Sequence, residues 1–586
     1  MTAEKQQGDE IVLKGIPASP GIAIGPVFIF HKDGPIIQER SIHGHEVEAE
    51  LNRLGDALVR SKKELTKIAE FAEKKLGVKQ AKIFEAQLMI LEDVVLFDSI
   101  RNRLRNELKN IEYVLRGEIG KYHALMLASK DEYTRERASD VEDVQNRIVR
   151  NLQEQRLVSK IAGSHIIVTK NLTAADALIL SRNDVLGYIT EIGGATSHMA
   201  LLARALKIPS IVGIHDFCTI VHKEDSVVLD GYSGTVVINP SAETLKKFRS
   251  KQEEHREFEV HLELLRDLPA ETLDGHRVKL AANVELEEEL EFVKSQGAEG
   301  IGLYRTETLL LGKEVFPTEE EQYRQYKIIA AGAFPQNVIV RTFDIGGDKL
   351  MAHSIKENNP FLGWRGIRVM LDEPKIFMDQ LRAILRASAQ KNVSIMFPMI
   401  SHVKEVRKAK EMLHAAKEQL AAKNIPFDND IEVGVMVEVP AAAVIADDLA
   451  REVDFLSIGT NDLIQYLLAV DRGNDVVSGL YQEFHPAVVR FLRRIIERGK
   501  GEKVWVGMCG EMAGDPLATM LLLGLGLDEF SVVPHILPEI KKIIRSVHYS
   551  EAKHLANRVL EMDTEDEIKS YMKEVMRKKI PDILLE

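Results

Sequence analysis

From about Asp274 onward, short apolar runs alternate with helical patterns, and this alternation limits the fold more than any other feature of the chain. Val278–Val284, Gly300–Tyr304, Val338–Phe343, Ile395–Met399, Val433–Val439, Phe455–Ile458 and Val504–Met508 each read as a strand. One more short strand is expected around Trp364–Val369. Eight strands alternating with helices over roughly 300 residues have the size of a (β/α)8 barrel, a fold that places its chemistry at the C-terminal ends of the strands.

The residues where these runs stop are charged or polar: Arg305, Arg341, Glu438, Asn461, Asp462 and Cys509. Solvated loops also carry charge, so the spread over several strand ends matters more than any one residue. Glu438 follows the apolar run Val433-Gly-Val-Met-Val437, where a carboxylate is costly unless it is paired or metal-bound. Asp462 follows the next strand, and neighbouring barrel strands can bring the two carboxylates together. Such oxygen ligands suit Mg2+, although two acids salt-bridged to nearby arginines are the plainer alternative. Arg305, Arg341 and Arg472, with Arg365 as a further candidate, offer forked donors that match phosphate and carboxylate. A buried cysteine is usually a small hydrophobe. At a barrel strand end, beside a metal and arginines, Cys509 could instead donate a proton.

The N-terminal half is patterned differently. Ile11 to Phe30 reads as strands separated by Gly and Pro turns. From His45 to about Glu154 the chain is rich in Glu, Leu, Lys and Ala, with helical stripes such as Leu51, Leu54, Leu58, Leu65, Ile68, Ala72 and Val141, Val144, Ile148, Leu152. Breaks near Gly77-Val78, Lys109-Asn110 and Ser129-Lys130 divide this block into about four helices. Strands return at His165–Thr169, Val185–Thr190, Ser210–Ile214, Ser226–Asp230 and Thr235–Ile238, so the helical block reads as an insertion in an α/β domain. The charged segment from about Ser241 to Arg266 reads as one long helix, either packed on a domain or linking two domains that move.

Within the α/β domain, Gly193-Gly-Ala-Thr-Ser-His198 follows an apolar strand and precedes a helical pattern. Two glycines permit a sharp turn and close approach of a ligand, and Thr196 and Ser197 are good helix caps. His198 then stands near a helix N-terminus, where free N–H groups favour an anion. The segment reads either as a plain capped helix start or as a phosphohistidine site.

Composition narrows the function classes. The chain has 586 residues, 45% apolar and 28% charged, with a net charge of −13. That balance disfavours broad nucleic-acid binding. Cys218 and Cys509 are too few and too far apart for a disulfide framework or a CxxC metal site. The polar first residues lack a signal-peptide core, and no apolar run is long enough to span a bilayer, so a cytoplasmic protein is expected.

Together these motifs resemble the phosphoenolpyruvate-protein phosphotransferase family, Enzyme I of the bacterial sugar phosphotransferase system. The resemblance covers nearly the whole chain. It rests on Gly193–His198, Ile301-Gly-Leu-Tyr-Arg-Thr-Glu307, Val340-Arg-Thr-Phe-Asp-Ile-Gly-Gly-Asp-Lys349, Asn359-Pro-Phe-Leu-Gly-Trp-Arg365, Ser457-Ile-Gly-Thr-Asn-Asp-Leu463 and Gly507-Met-Cys-Gly-Glu511. It implies that His198 is the phosphorylated histidine. It further implies that Arg305, Arg341 and Arg472 bind phosphoenolpyruvate with Arg365 and Asn461 in support, that Glu438 and Asp462 hold Mg2+ (or Mn2+), and that Cys509 protonates the enolpyruvate carbon. The implied layout is a phosphohistidine α/β domain (1–43 and 155–240), an inserted helical domain that docks the phosphocarrier HPr (44–154), a helical linker (241–269) and a (β/α)8 barrel that dimerises (270–586). One departure lies in Asn171-Leu-Thr-Ala-Ala-Asp-Ala177, where the sugar-type pattern ends in a threonine that partners the histidine; Thr196 is the candidate substitute. The other readings are a pyruvate phosphate dikinase or phosphoenolpyruvate synthase without its nucleotide domain, and an inactive regulatory partner.

Overall fold

The computed structural model describes residues 10–30, 37–76, 84, 87–127, 138–153, 163–181, 184–194, 197–223, 225–310, 315–346, 357, 359–474, 476–581 and 583. The chain divides into two compact units, Met1–His255 and Arg256–Glu586. The division falls inside the helix Ala242–Leu265.

The first unit is built on an eight-stranded mixed sheet of order β1-β8-β7-β3-β4-β5-β6-β2. Its strands are β1 (Ile11–Lys14), β2 (Ile16–Ser19), β3 (Ile22–Ile29), β4 (His165–Thr169), β5 (Val185–Thr190), β6 (Ser210–Val212), β7 (Ser226–Asp230) and β8 (Thr235–Ile238). β3, β4, β5 and β6 pair in parallel, and the outer pairings are antiparallel. β6 stops two residues short of the expected Ile214, because Gly213 turns the chain with φ +77°.

The helical block enters between β3 and β4 as the helices Val47–Leu76, Val94–Glu107, Ile111–Leu127 and Ala138–Leu152. The expected break at Lys109-Asn110 separates the second and third of these, whereas Gly77-Val78 and Ser129-Lys130 lie outside the described residues. A further break falls at Glu92-Asp93, where the Asp93 carboxylate caps the next helix by accepting from Leu96 N at 2.9 Å. The striped residues Leu54, Leu65, Ile68, Val141, Val144 and Ile148 are buried, in one core with Ala174, Ala177, Met199 and Leu202 of the α/β part. The helix Ala242–Leu265 starts on the sheet of this unit. Leu245 and Phe248 pack on Ile22, Val228 and Val237, and His255 stacks on Tyr232 with ring centroids 4.1 Å apart.

The second unit is a closed barrel of eight parallel strands. They are β9 (Lys279–Val284), β10 (Ile301–Tyr304), β11 (Val338–Arg341), β12 (Val393–Phe397), β13 (Val433–Val437), β14 (Phe455–Ile458), β15 (Trp505–Met508) and β16 (Glu529–Val532). The strand expected around Trp364–Val369 is not one: Gly366 turns with φ +59° and Ile367–Asp372 is helical. β16 is the eighth strand, and it closes the barrel with Glu529 opposite Lys279 of β9. Glu529 and Ser531 are both buried, so the segment carries no continuous apolar run. The Glu529 charge is met by Lys279 Nζ at 2.7 Å. Leu303, Ile339, Met396, Met436, Phe455 and Cys509 form an apolar cluster contributed by six of the barrel strands or their ends.

Candidate active site

Parallel strands all end on the same side of a barrel, so residues just past them converge. Arg305 follows β10, Arg341 ends β11, Glu438 follows β13 and Cys509 follows β15. Asn461 and Asp462 lie in the first turn of the helix Thr460–Leu468, after β14. Arg365 comes from the connection between β11 and β12, and Arg472 from the one between β14 and β15.

Four of the expected residues, Arg341, Arg365, Glu438 and Asp462, fall into one network around Asp344. Arg341 Nη1 lies 3.1 Å from Asp344 Oδ2 and its Nη2 lies 3.0 Å from Glu307 Oε2. Arg365 grips the same carboxylate with two nitrogens: Nη2 donates to Oδ2 at 2.8 Å and Nε to Oδ1 at 3.2 Å. Arg365 Nη2 also reaches Asp462 Oδ2 at 3.1 Å, and Nη1 donates to Tyr466 Oη at 3.2 Å. Glu438, 2% exposed, accepts from Met399 N at 2.5 Å. Asp344, Glu438 and Asp462 each offer an oxygen within 4.8 Å of the others. Gly366 lets this happen: a Cβ there would stand 2.9 Å from Met399 Cβ and 3.1 Å from Asp344 Oδ1.

The charges are unequal in consequence. Burial raises the Glu438 carboxyl well above the ordinary value, and the neighbouring Asp344 and Asp462 add to this. Burial works on Asp344 in the same direction, but Arg341 and Arg365 outweigh it and hold that carboxyl below its usual range. The arrangement therefore sets a crowded group of acids against guanidinium groups whose partners can be exchanged. Such a group of oxygens can hold a hard divalent cation, and the arginines can take a small polyanion.

The other expected residues border this network. Arg305 Nη1 lies 2.9 Å from Glu285 Oε1, and the next residue, Thr306, donates its hydroxyl to the Arg341 carbonyl at 3.0 Å. Asn461 and Arg472 meet at Glu511: Asn461 Nδ2 donates to Oε1 at 2.8 Å, and Arg472 Nη1 lies 3.3 Å from the same oxygen. Cys509 shares its apolar cluster with Met436, whose sulfur accepts from Arg341 Nη1 at 3.7 Å. Asp344, Glu307, Glu285 and Glu511 were not among the expected residues. Three of them stand inside motifs quoted for their neighbours, and an acid three residues after a strand-end arginine is the signal that points to Asp344.

In the first unit, β5 leads through Glu191–Ser197 into the helix His198–Ala205. Gly193 adopts φ +138°. The Thr190 hydroxyl donates to the Ile192 carbonyl at 2.8 Å, and the Ser197 hydroxyl caps the helix by accepting from Ala200 N at 3.2 Å. His198 is thus the first residue of a capped helix. Thr196 lies outside the described residues. Ala177 is fully buried, and its carbonyl accepts from Tyr188 Oη at 2.8 Å.

Comparison with known proteins agrees with both halves. Residues 14–137, 161–234 and 260–549 match the families described as PEP-utilising enzyme, N-terminal; mobile domain; and PEP-binding domain. The phosphoenolpyruvate-protein phosphotransferase of Staphylococcus carnosus is 42% identical over 96% of this chain and 98% of its own length. That of Bacillus subtilis is 42% identical over 96% of this chain and 100% of its own length. The Haemophilus influenzae protein of the same name is 42% identical over 96% of the chain and 99% of its own length. A barrel with converging arginines and carboxylates, a capped histidine helix and this full-length similarity lead to one conclusion: the chain belongs to the phosphoenolpyruvate-protein phosphotransferase family.

Proposed function

We propose that the protein takes the phosphoryl group of phosphoenolpyruvate onto His198 and passes it to a histidine of the carrier HPr, releasing pyruvate, as the first step of a phosphotransferase system. The observation that carries this reading is the Arg341–Asp344–Arg365 network beside Glu438 and Asp462. Arg305, Arg341, Arg365 and Arg472 bind the phosphate and carboxylate of the substrate, with Asn461 in support. Substrate oxygens replace Glu285 at Arg305 and Glu511 at Arg472. Glu438 and Asp462 would hold Mg2+ or Mn2+, which supplies charge neutralisation at the phosphoryl oxygens. Both oxygens of Asp344 already accept from guanidinium groups, so its part is to hold Arg341 and Arg365 together.

His198 attacks as the neutral imidazole, a form available at cellular pH from a reference value near ~6.5. Loss of the phosphoryl group leaves an enolate, and Cys509 gives it a proton to form pyruvate. The reading assigns residues 1–43 and 155–240 to the phosphohistidine domain, 44–154 to HPr docking, 241–269 to a linker about which that domain swivels, and 270–586 to substrate binding and homodimerisation. It places the protein in the cytoplasm.

The test combines the protein with labelled phosphoenolpyruvate, Mg2+ and HPr. Pyruvate should appear together with labelled carrier. Labelling from ATP in place of phosphoenolpyruvate would contradict this and favour a dikinase-like activity.

A further inference from the structure

The apolar setting of Cys509 poses a problem that one neighbouring hydroxyl solves. The thiol is 3% exposed and packs with Leu303, Ile339, Met396, Met436 and Phe455. Its backbone is fixed from two sides. The Cys509 N–H donates to the Ile458 carbonyl at 3.1 Å, and its carbonyl accepts from Asn283 Nδ2 at 3.0 Å. Asn283 is itself held by the Ser531 hydroxyl at 2.6 Å. The sulfur accepts from the Ser457 hydroxyl at 3.3 Å, and its S–H faces the Ile458 carbonyl at 3.8 Å. Ser457 is 2% exposed, in β14, opposite Gly507 of β15.

We propose that Ser457 is a positioning residue for proton delivery: its hydroxyl fixes the Cys509 thiol and hydrogen-bonds the thiolate that the transfer leaves. This rests on the reading of Cys509 as the acid. In the step, the S–H bond breaks and a C–H bond forms at the methylene carbon of the enolate. The C=C electron pair makes the new bond, an oxygen lone pair closes the ketone, and sulfur keeps the S–H electrons. A proton from water then restores the thiol.

A thiolate in an apolar bed is unfavourable unless something donates to it. Burial pushes the Cys509 thiol up to about 11; the Ser457 hydrogen bond works against that, as do Arg341 and Arg305, while Glu438 adds to it. The apolar side chains around the sulfur offer no donor. Ser457 contributes one without bringing a charge into the barrel.

The experiment measures pyruvate release in a single turnover by the full-length protein with phosphoenolpyruvate and Mg2+, in H2O and in D2O. Ser457→Ala should slow release by about tenfold or more, the loss expected for a hydrogen bond to a charged group. The half-saturating phosphoenolpyruvate concentration should stay unchanged, and the solvent isotope effect should rise as proton transfer becomes limiting. Ser457→Thr should restore both, whereas Ser457→Val, of the same shape without the hydroxyl, should not. This pair keeps the comparison sound if Ser457→Ala folds poorly. Wild-type release and an unchanged isotope effect in both the Ala and Val variants would overturn the role of Ser457. Undiminished release in Cys509→Ala would instead overturn the acid assignment on which it rests.

Discussion

Replacing Glu438 by glutamine is expected to lower pyruvate release from phosphoenolpyruvate by about 10²–10³-fold, the cost of losing a group that neutralises or organises charge in the transition state. The fold should survive. Glu438 is buried beside Asp344 and Asp462, all within 4.8 Å, and this crowding already raises its carboxyl well above the ordinary value. Glutamine keeps the shape, can still accept from Met399 N, and cannot take on the charge that burial, Asp344 and Asp462 oppose. Activity should therefore fall while thermal stability holds or rises. A site maintained for activity at a cost in stability shows that signature. Turnover and thermal unfolding of the same preparation check it; wild-type turnover would remove Glu438 from the site.

Arg341→Met should damage both properties. The Arg341 side chain is 11% exposed and lies between Glu307 and Asp344, themselves 23% and 3% exposed. Removing one member of a buried ion network leaves its partners uncompensated, a loss of about 3 kcal/mol. Arg365 still holds Asp344, which keeps the loss at the lower end of the usual range. Turnover should drop by at least about 10²-fold if, as proposed, Arg341 is a forked donor to the substrate. Arg341→Lys should recover part of the stability but little of the turnover, since an ammonium cannot span two acids and a phosphate as a guanidinium does. Denaturant unfolding and turnover together check this. Unaltered stability would mean that the Arg341–Asp344–Glu307 contacts are not holding the strand ends.

How much of this was legible beforehand depends on where the information resides. Seven of the barrel strands are short apolar runs and declare themselves by hydrophobicity. β16 does not, because Glu529 and Ser531 are polar side chains whose partners, Lys279 and Asn283, both come from β9. Trp364–Val369 misleads in the opposite direction. Its apolar residues suggest a strand, but Gly366 takes a positive φ so that Arg365 can reach back to Asp344. The site follows the same division. Charges placed where an apolar strand stops point to Arg341, Glu438 and Asp462. Asp344 is half legible: its spacing of three residues from Arg341 is a local signal, whereas its second guanidinium partner, Arg365, is 21 residues away and is brought to it by the turn at Gly366. The break at Asp93 is not legible, because a single capping carboxylate inside a Glu- and Lys-rich stretch looks like surface charge.

Phosphorus from phosphoenolpyruvate is expected to come to rest on one imidazole at the start of the helix His198–Ala205. The direct measurement is mass spectrometry of the intact and digested protein after brief exposure to phosphoenolpyruvate and Mg2+, kept at alkaline pH to preserve phosphohistidine. One added phosphoryl group per chain is expected, located at His198 and absent from His198→Ala. A phosphoryl group found on another residue, or on the His198→Ala protein to the same extent, would contradict it.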